Sequence, residues 1–113
     1  MSRARRIGPS RSDQLDLVFG ALGNKTRRAM LARLAKKPAM VTELAEPFDL
    51  SLPAVSRHIR VLEHVGLIKR TVDGRVHHCE LKVESLRDID EWLNHYRRFW
   101  DANLKALARH VES

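Results

Sequence analysis

Two β-rich runs, residues 67–72 and 75–81, stand on either side of Asp73-Gly74 and follow directly on an amphipathic helix. No other feature narrows the fold as much. Asp-Gly suits a two-residue hairpin turn because both positions tolerate positive φ, so the spacing predicts a type I′ hairpin. Ahead of it, Ser51 is a good N-cap, and Pro53 is tolerated in the first helical turn, where amides have no intrahelical acceptor. At about 100° per residue, Leu52, Val55, Ile59 and Leu62 share one face of this helix, while Pro53, Ser56, Arg57 and Arg60 gather about 130° away around the axis. Gly66 ends the helix. One side is committed to a core and the other is left polar and basic.

Upstream, Leu15, Val18, Phe19 and Leu22 recur at helical spacing and Gly23 supplies a stop. Asn24 is placed to cap a second helix with Met30, Leu31 and Leu34 inward, closed by Pro38. Thr42 is read as the cap of a short third helix over 43–46, followed by a tight turn, Phe48-Asp49-Leu50. A final helix runs from about residue 84 to 112. Over a helix about 43 Å long, its apolar residues Leu86, Ile89, Leu93, Tyr96, Trp100, Leu104, Leu107 and Val111 recur at steps of three and four. Trp92, Tyr96, Phe99 and Trp100 fall within one short stretch of it. A domain this small cannot cover so long a stripe, so a second copy of the chain is expected to lie on it.

The chain of 113 residues carries 21 Lys and Arg against 14 Asp and Glu, a net charge of +7 that favours a polyanionic partner. Residues 1–12 hold four arginines and no acid and read as a disordered basic arm, leaving 13–113 as one domain. No apolar run approaches the roughly 18 residues of a membrane span, and no secretory signal opens the chain, so a soluble cytoplasmic protein is expected. Cys79 is the single cysteine, which excludes an internal disulfide and a multi-thiolate zinc site. No phosphate-binding glycine loop or nucleophile–base order suggests an enzyme.

Short helix, turn, amphipathic helix and basic hairpin in this order make a mainly α winged helix-turn-helix with a β-hairpin wing. In that geometry the helix opened by Ser51 enters the major groove. Ser51, Ser56, Arg57 and Arg60 are the polar candidates for DNA contact there, and Pro53 and Ala54 offer apolar contact to thymine methyls. Lys69, Arg70 and Arg75 flank the wing, with Arg75 placed to reach phosphates or a narrow minor groove. The stretch from Leu50-Ser51-Leu52-Pro53-Ala54-Val55-Ser56-Arg57-His58-Ile59-Arg60 to Leu67-Ile68 resembles the recognition helix of the ArsR/SmtB repressors. Leu22-Gly23-Asn24-Lys25-Thr26-Arg27-Arg28 resembles that family's first interhelical turn, and the likeness spans roughly residues 14–112. The resemblance implies a homodimer built from the first and last helices. Leu15, Val18, Phe19 and Leu22 would face Trp92, Tyr96, Phe99, Trp100, Leu104 and Leu107 in that interface. It also implies double-stranded DNA with an inverted repeat as partner, and repression of the chain's own operon on the bacterial nucleoid. A winged helix serving architecture or protein interaction, without sequence-specific binding, is the alternative.

The sequence departs from the family at its metal sites. Residues 43–50 contain no cysteine, so a thiolate site there has no ligands. On the last helix, Asp90 is followed two positions later by Trp92, and His95 and His110 are fifteen apart, which does not fit the second family site. His77 and Cys79 share a strand face with His78 opposed, read as a buried thiol beside two histidines. No metal or cofactor is therefore expected. The release signal stays open between a small organic molecule, a partner protein, oxidation of Cys79 and nothing beyond autoregulated abundance. His58 lies on neither main stripe of its helix and is expected to pack or bond near the third helix, or to contact phosphate.

Overall fold

A computed structural model describes residues 11–112. Among them, five helices and one antiparallel sheet follow as α1 (Arg11–Leu22), α2 (Lys25–Leu34), β1 (Ala39–Met40), α3 (Val41–Ala45), α4 (Leu52–His64), β2 (Ile68–Asp73), β3 (Val76–Leu81) and α5 (Glu84–Glu112). The fold is a winged helix-turn-helix, with α3 and α4 as the helical pair, β2 and β3 as the wing and α5 as a long final helix. The basic arm read at 1–12 lies outside the described residues except for Arg11 and Ser12, which α1 takes in.

Several local signals act as their chemistry dictates. Asn24 Oδ1 accepts from the Arg27 amide at 3.0 Å and Ser51 Oγ from the Ala54 amide at 3.3 Å, so each satisfies an orphan donor at a helix start. α4 closes on Gly66, whose φ of +82° lets the chain turn back. The Gly66 amide donates to the Glu63 carbonyl at 3.1 Å and the Leu67 amide to the Leu62 carbonyl at 2.9 Å, the paired bonds of a Schellman cap. Leu62 and Leu67 are both fully buried and supply the apolar contact that accompanies this cap.

The third helix differs from its sequence reading. Met40 is its N-cap residue and donates its amide to Glu43 Oε1 at 2.7 Å, so the helix starts at Val41 and Thr42 lies inside it. Ala39 and Met40 form an extra strand, β1, which pairs with Cys79 and His78 to give the sheet order β1-β3-β2. The hairpin turn is also shifted. Asp73 pairs with Val76, which leaves Gly74 and Arg75 as the two central residues. Gly74 has φ +65° and no other wing residue has positive φ, so the turn has the single left-handed position of a type II′ turn instead of the two that type I′ requires. Arg75 thereby sits at the tip of the wing.

Val18, Met30, Leu44, Val55, Ile59, Leu62, Leu67 and Cys79 are fully enclosed and form the centre of the core. Each buried aliphatic side chain contributes about 1.5–3 kcal/mol relative to exposure. Val18, expected at the dimer interface, is spent on this core: it has no surface left to offer a second chain. Leu15 and Leu22 pack partly against the same core. The C-terminal end of α4 is the joint of the molecule. The Val65 carbonyl accepts from Gln14 Nε2 of α1 at 3.4 Å and from Ser85 Oγ of α5 at 3.1 Å, and Ser85 Oγ also donates to the Gly66 carbonyl at 3.1 Å. The first and last helices are both anchored to the end of the helix between them.

Candidate nucleic-acid interface

α4 is docked by Val55, Ile59 and Leu62 and turns Pro53, Arg57 and Arg60 to solvent. Neither arginine is ion-paired with a carboxylate among the described residues. Ala54 and Ser56 are half-buried, and Ser51, although exposed, has its hydroxyl engaged in the helix cap. Ser56 faces the wing, where it shares with Thr42 of α3, Arg75 and His77 a groove of about 300 Å³. The fold thus brings Ser56 and Arg75 together, while Arg57 and Arg60 line a second groove that α4 shares with α1. Thr42 was not singled out in the sequence as a groove residue. Its place at the first turn of a helix beside Ser56 depends on the shifted start of α3.

Lys69 and Arg75 are exposed, but Arg70 is turned inward. Its Nη2 donates to Glu63 Oε1 of α4 at 2.6 Å, and that hydrogen bond holds the guanidinium above its ordinary pKa against the opposing effect of burial. Arg70 therefore clamps the wing to α4 and is removed from the set of outward wing cations. Strand alternation carried the signal: Arg70 has the parity of Ile68, which is buried against the core.

His58 bonds to α2. Arg27 Nη1 lies 3.2 Å from His58 Nδ1, while Arg27 Nε donates to the Ala21 carbonyl at 2.6 Å and Nη2 to the Gly20 carbonyl at 3.3 Å. Arginine only donates, so Nδ1 is the acceptor and the ring hydrogen resides on Nε2. Burial first, then the charges of Arg27 and Arg57, lowers the His58 pKa. Arg27 ties the end of α1 to the middle of α4 through one guanidinium. On the wing, Cys79 is fully buried and burial pushes its thiol pKa up, with Arg70 opposing and Glu63 adding to the rise. His77 Nδ1 is buried and has no hydrogen-bond partner among the described residues.

The apolar stripe of α5 behaves differently along its length. Leu86 and Ile89 reach the core, and Trp92 packs edge-on against Phe19 of α1 at 5.3 Å between ring centroids and beside Tyr96 at 4.8 Å. Beyond, Phe99 is 68% exposed, Trp100 63%, Leu107 58% and Val111 75%. The metal sites known in the resembling family find no fitting residues. α3 has no thiol, His95 and His110 are separated by about 22 Å of helix, and no group of three or more His, Cys, Asp or Glu converges among the described residues. No described helix is long and apolar enough to cross a membrane.

Residues 22–71 match a family model described as a helix-turn-helix domain. The chain is 35% identical over 98 residues to the HTH-type transcriptional regulator Rv2034 of Mycobacterium tuberculosis, spanning 87% of this chain and 89% of that protein. It is 28% identical over 87 residues to the transcriptional repressor SdpR of Bacillus subtilis, spanning 77% and 97%. The crystal structure of an ArsR family transcriptional regulator superposes with a TM-score of 0.76 at 39% identity, over 84% of this chain and 97% of that one. An ArsR-like transcriptional regulator from Rhodococcus sp. RHA1 gives 0.66 at 26% identity, over 85% and 91%.

Proposed function

The chain belongs to the ArsR family of DNA-binding transcriptional regulators, and from that membership we propose a homodimeric repressor that binds an inverted-repeat operator at its own operon. The observation that carries this reading is α4: Val55, Ile59 and Leu62 are sealed in the core, while Arg57 and Arg60 stand exposed without a carboxylate partner among the described residues. Guanidinium groups in that state are available for base edges and phosphates. Pro53, Ala54 and Ser56 accompany them in the major groove. Arg75 at the wing tip, with Lys69 beside it, takes the phosphate or minor-groove side. Residues 13–113 act as the DNA-binding and dimerisation unit, with 1–12 as a basic arm in the cytoplasm of a bacterial cell.

In this reading two copies meet through Phe19 of α1 and the exposed aromatic face of α5, and an inverted repeat asks of them that their reading helices enter successive major grooves about 34–36 Å apart. The release signal is not a thiolate-bound metal, because α3 lacks thiols and Cys79 is enclosed. The test is a titration of the full chain against a duplex from its own upstream region and a scrambled duplex. Specific binding should exceed non-specific by at least about 1,000-fold and weaken steeply with salt. Arg57→Ala and Arg60→Ala should each lose about 1–3 kcal/mol. Equal affinity for both duplexes rejects the reading.

A further inference from the structure

α1 and α4 leave an open groove of about 490 Å³ on the flank of the molecule where Arg57 and Arg60 emerge. Its floor is apolar. Leu17 is 42% exposed there, Val61 lines the α4 side, and Gly20 leaves a gap in which an added Cβ meets nothing within 4 Å. The groove also has a direction. Gln14 reaches Val65 at one end of α4, and Gly20 is tied through Arg27 to His58 nearer the other end, so the two helices run antiparallel along it. Arg57 therefore stands at the Gly20 end, and Asp16 lies towards the His64 end.

This arrangement recognises a particular chemistry. Two exposed guanidiniums one helical turn apart match a carboxylate, whose paired oxygens fit the guanidinium fork. The floor matches an aliphatic tail, and Asp16 at the far end repels a second anionic group. From Arg57 to His64 the helix rises about 10 Å, the reach of a chain of about eight carbons. We infer that this groove is an effector site for a medium-chain aliphatic monocarboxylate, whose head pairs with Arg57 and Arg60 and withholds them from DNA. Leu17 and Phe19 are two residues apart, about 200° around α1, so a second copy seated on the Phe19 side leaves the groove open.

Binding of the carboxylate stands on the groove alone, whereas the withholding step rests on the proposed DNA reading. Calorimetric titration of the full chain with octanoate should show one molecule per protomer, and 1-octanol should bind at least about tenfold more weakly. Gly20→Leu fills the gap at a helical position and should reduce octanoate binding by about tenfold or more while leaving duplex affinity within about twofold. Leu17→Glu, at an exposed site, places a like charge in the path of the tail and should give the same loss should Gly20→Leu fail to fold. Saturating octanoate should weaken duplex binding by the wild-type chain by about tenfold and spare Gly20→Leu. No octanoate binding, equal binding of 1-octanol, or undiminished binding by both variants overturns the site. Bound octanoate with unchanged duplex affinity overturns the withholding step. Failure of the DNA reading is separate: it appears as a duplex affinity that Arg57→Ala with Arg60→Ala leaves intact without any octanoate present.

Discussion

α4 and α5 carry the same kind of pattern and meet opposite fates. On α4, Val55, Ile59 and Leu62 are each 0% exposed. On α5 the stripe enters the core only through Leu86 and Ile89 and then runs out into solvent, reaching 75% exposure at Val111. Helical periodicity states which face is apolar and says nothing about what covers it. For α4 the cover is the same chain: α2, α3 and the sheet. For the far part of α5 this protomer offers no cover, and an apolar stripe that long is better explained by a second chain than by tolerance of water.

The largest test of that contrast compares equivalent truncations. Leu62→Ala should cost about 2–5 kcal/mol of folding stability at any protein concentration, because it empties a site enclosed by its own chain. Leu107→Ala should show a cost that grows with concentration and fades on dilution, since in the proposed dimer its partner atoms belong to another copy. Urea unfolding across a concentration series measures both. Equal, concentration-independent losses would erase the difference between the helices.

Next in size is the interface itself. Trp100→Ser combined with Leu104→Ser should raise the dimer dissociation constant by about 100-fold or more, because buried aromatic anchors carry most of an interface's energy. Sedimentation should then find monomers with secondary structure intact. A double variant as dimeric as the wild-type chain, or a wild-type chain that is itself monomeric, would overturn the proposed α5 interface.

Between the two helices lies the joint at Gly66. Gly66→Ala puts a Cβ 2.8 Å from Ser85 Oγ at a φ of +82°, and should cost about 1–3 kcal/mol from backbone strain and the displaced hydroxyl. Ser85→Ala relieves the clash, so the double variant should recover part of the loss. A thermal melt of the four proteins resolves the coupling.

Much of this was legible in the sequence because it depended on neighbours along the chain. The caps at Asn24 and Ser51, the stop at Gly66 and the α5 stripe are local signals, and the match of order and turn lengths identified the fold. What escaped depended on partners distant in sequence. β1 is two residues long and exists only because β3 passes beside Ala39 and Met40. The hairpin turn moved by one residue because strand pairing, which joins Asp73 to Val76, outweighed the preference of Asp-Gly for type I′. Val18 has the same spacing as Phe19's face of α1, yet the core claimed it and left Phe19 outside. Within the candidate site, Arg57 and Arg60 emerge as the helical wheel requires, whereas Arg70 was lost to Glu63 and Arg27 was missed. Its three bonds run to α1 and α4 and leave no trace in local pattern.

The smallest effect concerns how firmly α4 is held compared with the distal α5, and it turns on His58. Its neutral ring accepts from Arg27, and burial together with Arg27 and Arg57 lowers its pKa from the ordinary 6.5. The unfolded chain therefore binds a proton at this residue more readily than the folded one, so unfolding takes up protons as pH falls through 6.5. Stability contributed by the neutral ring is present above that pH and declines below it, until the folded state also protonates and the cation faces Arg27 directly. Protonation also removes the Nδ1 lone pair, so the bond that joins α2 to α4 is lost with the charge change. Because His58 is only half-buried, water screens much of the repulsion and the effect should be smaller than the three before it. Denaturant unfolding of the wild-type chain and His58→Gln at pH 7.5 and pH 5.5 isolates it, since the other histidines are common to both. The wild-type chain should lose more stability on acidification than the variant. Octanoate-free duplex binding should follow the same order, because the arginines of α4 are presented only as firmly as the helix is seated. A variant whose acid loss equals the wild type's would place the Arg27–His58 contact outside the forces that hold α4.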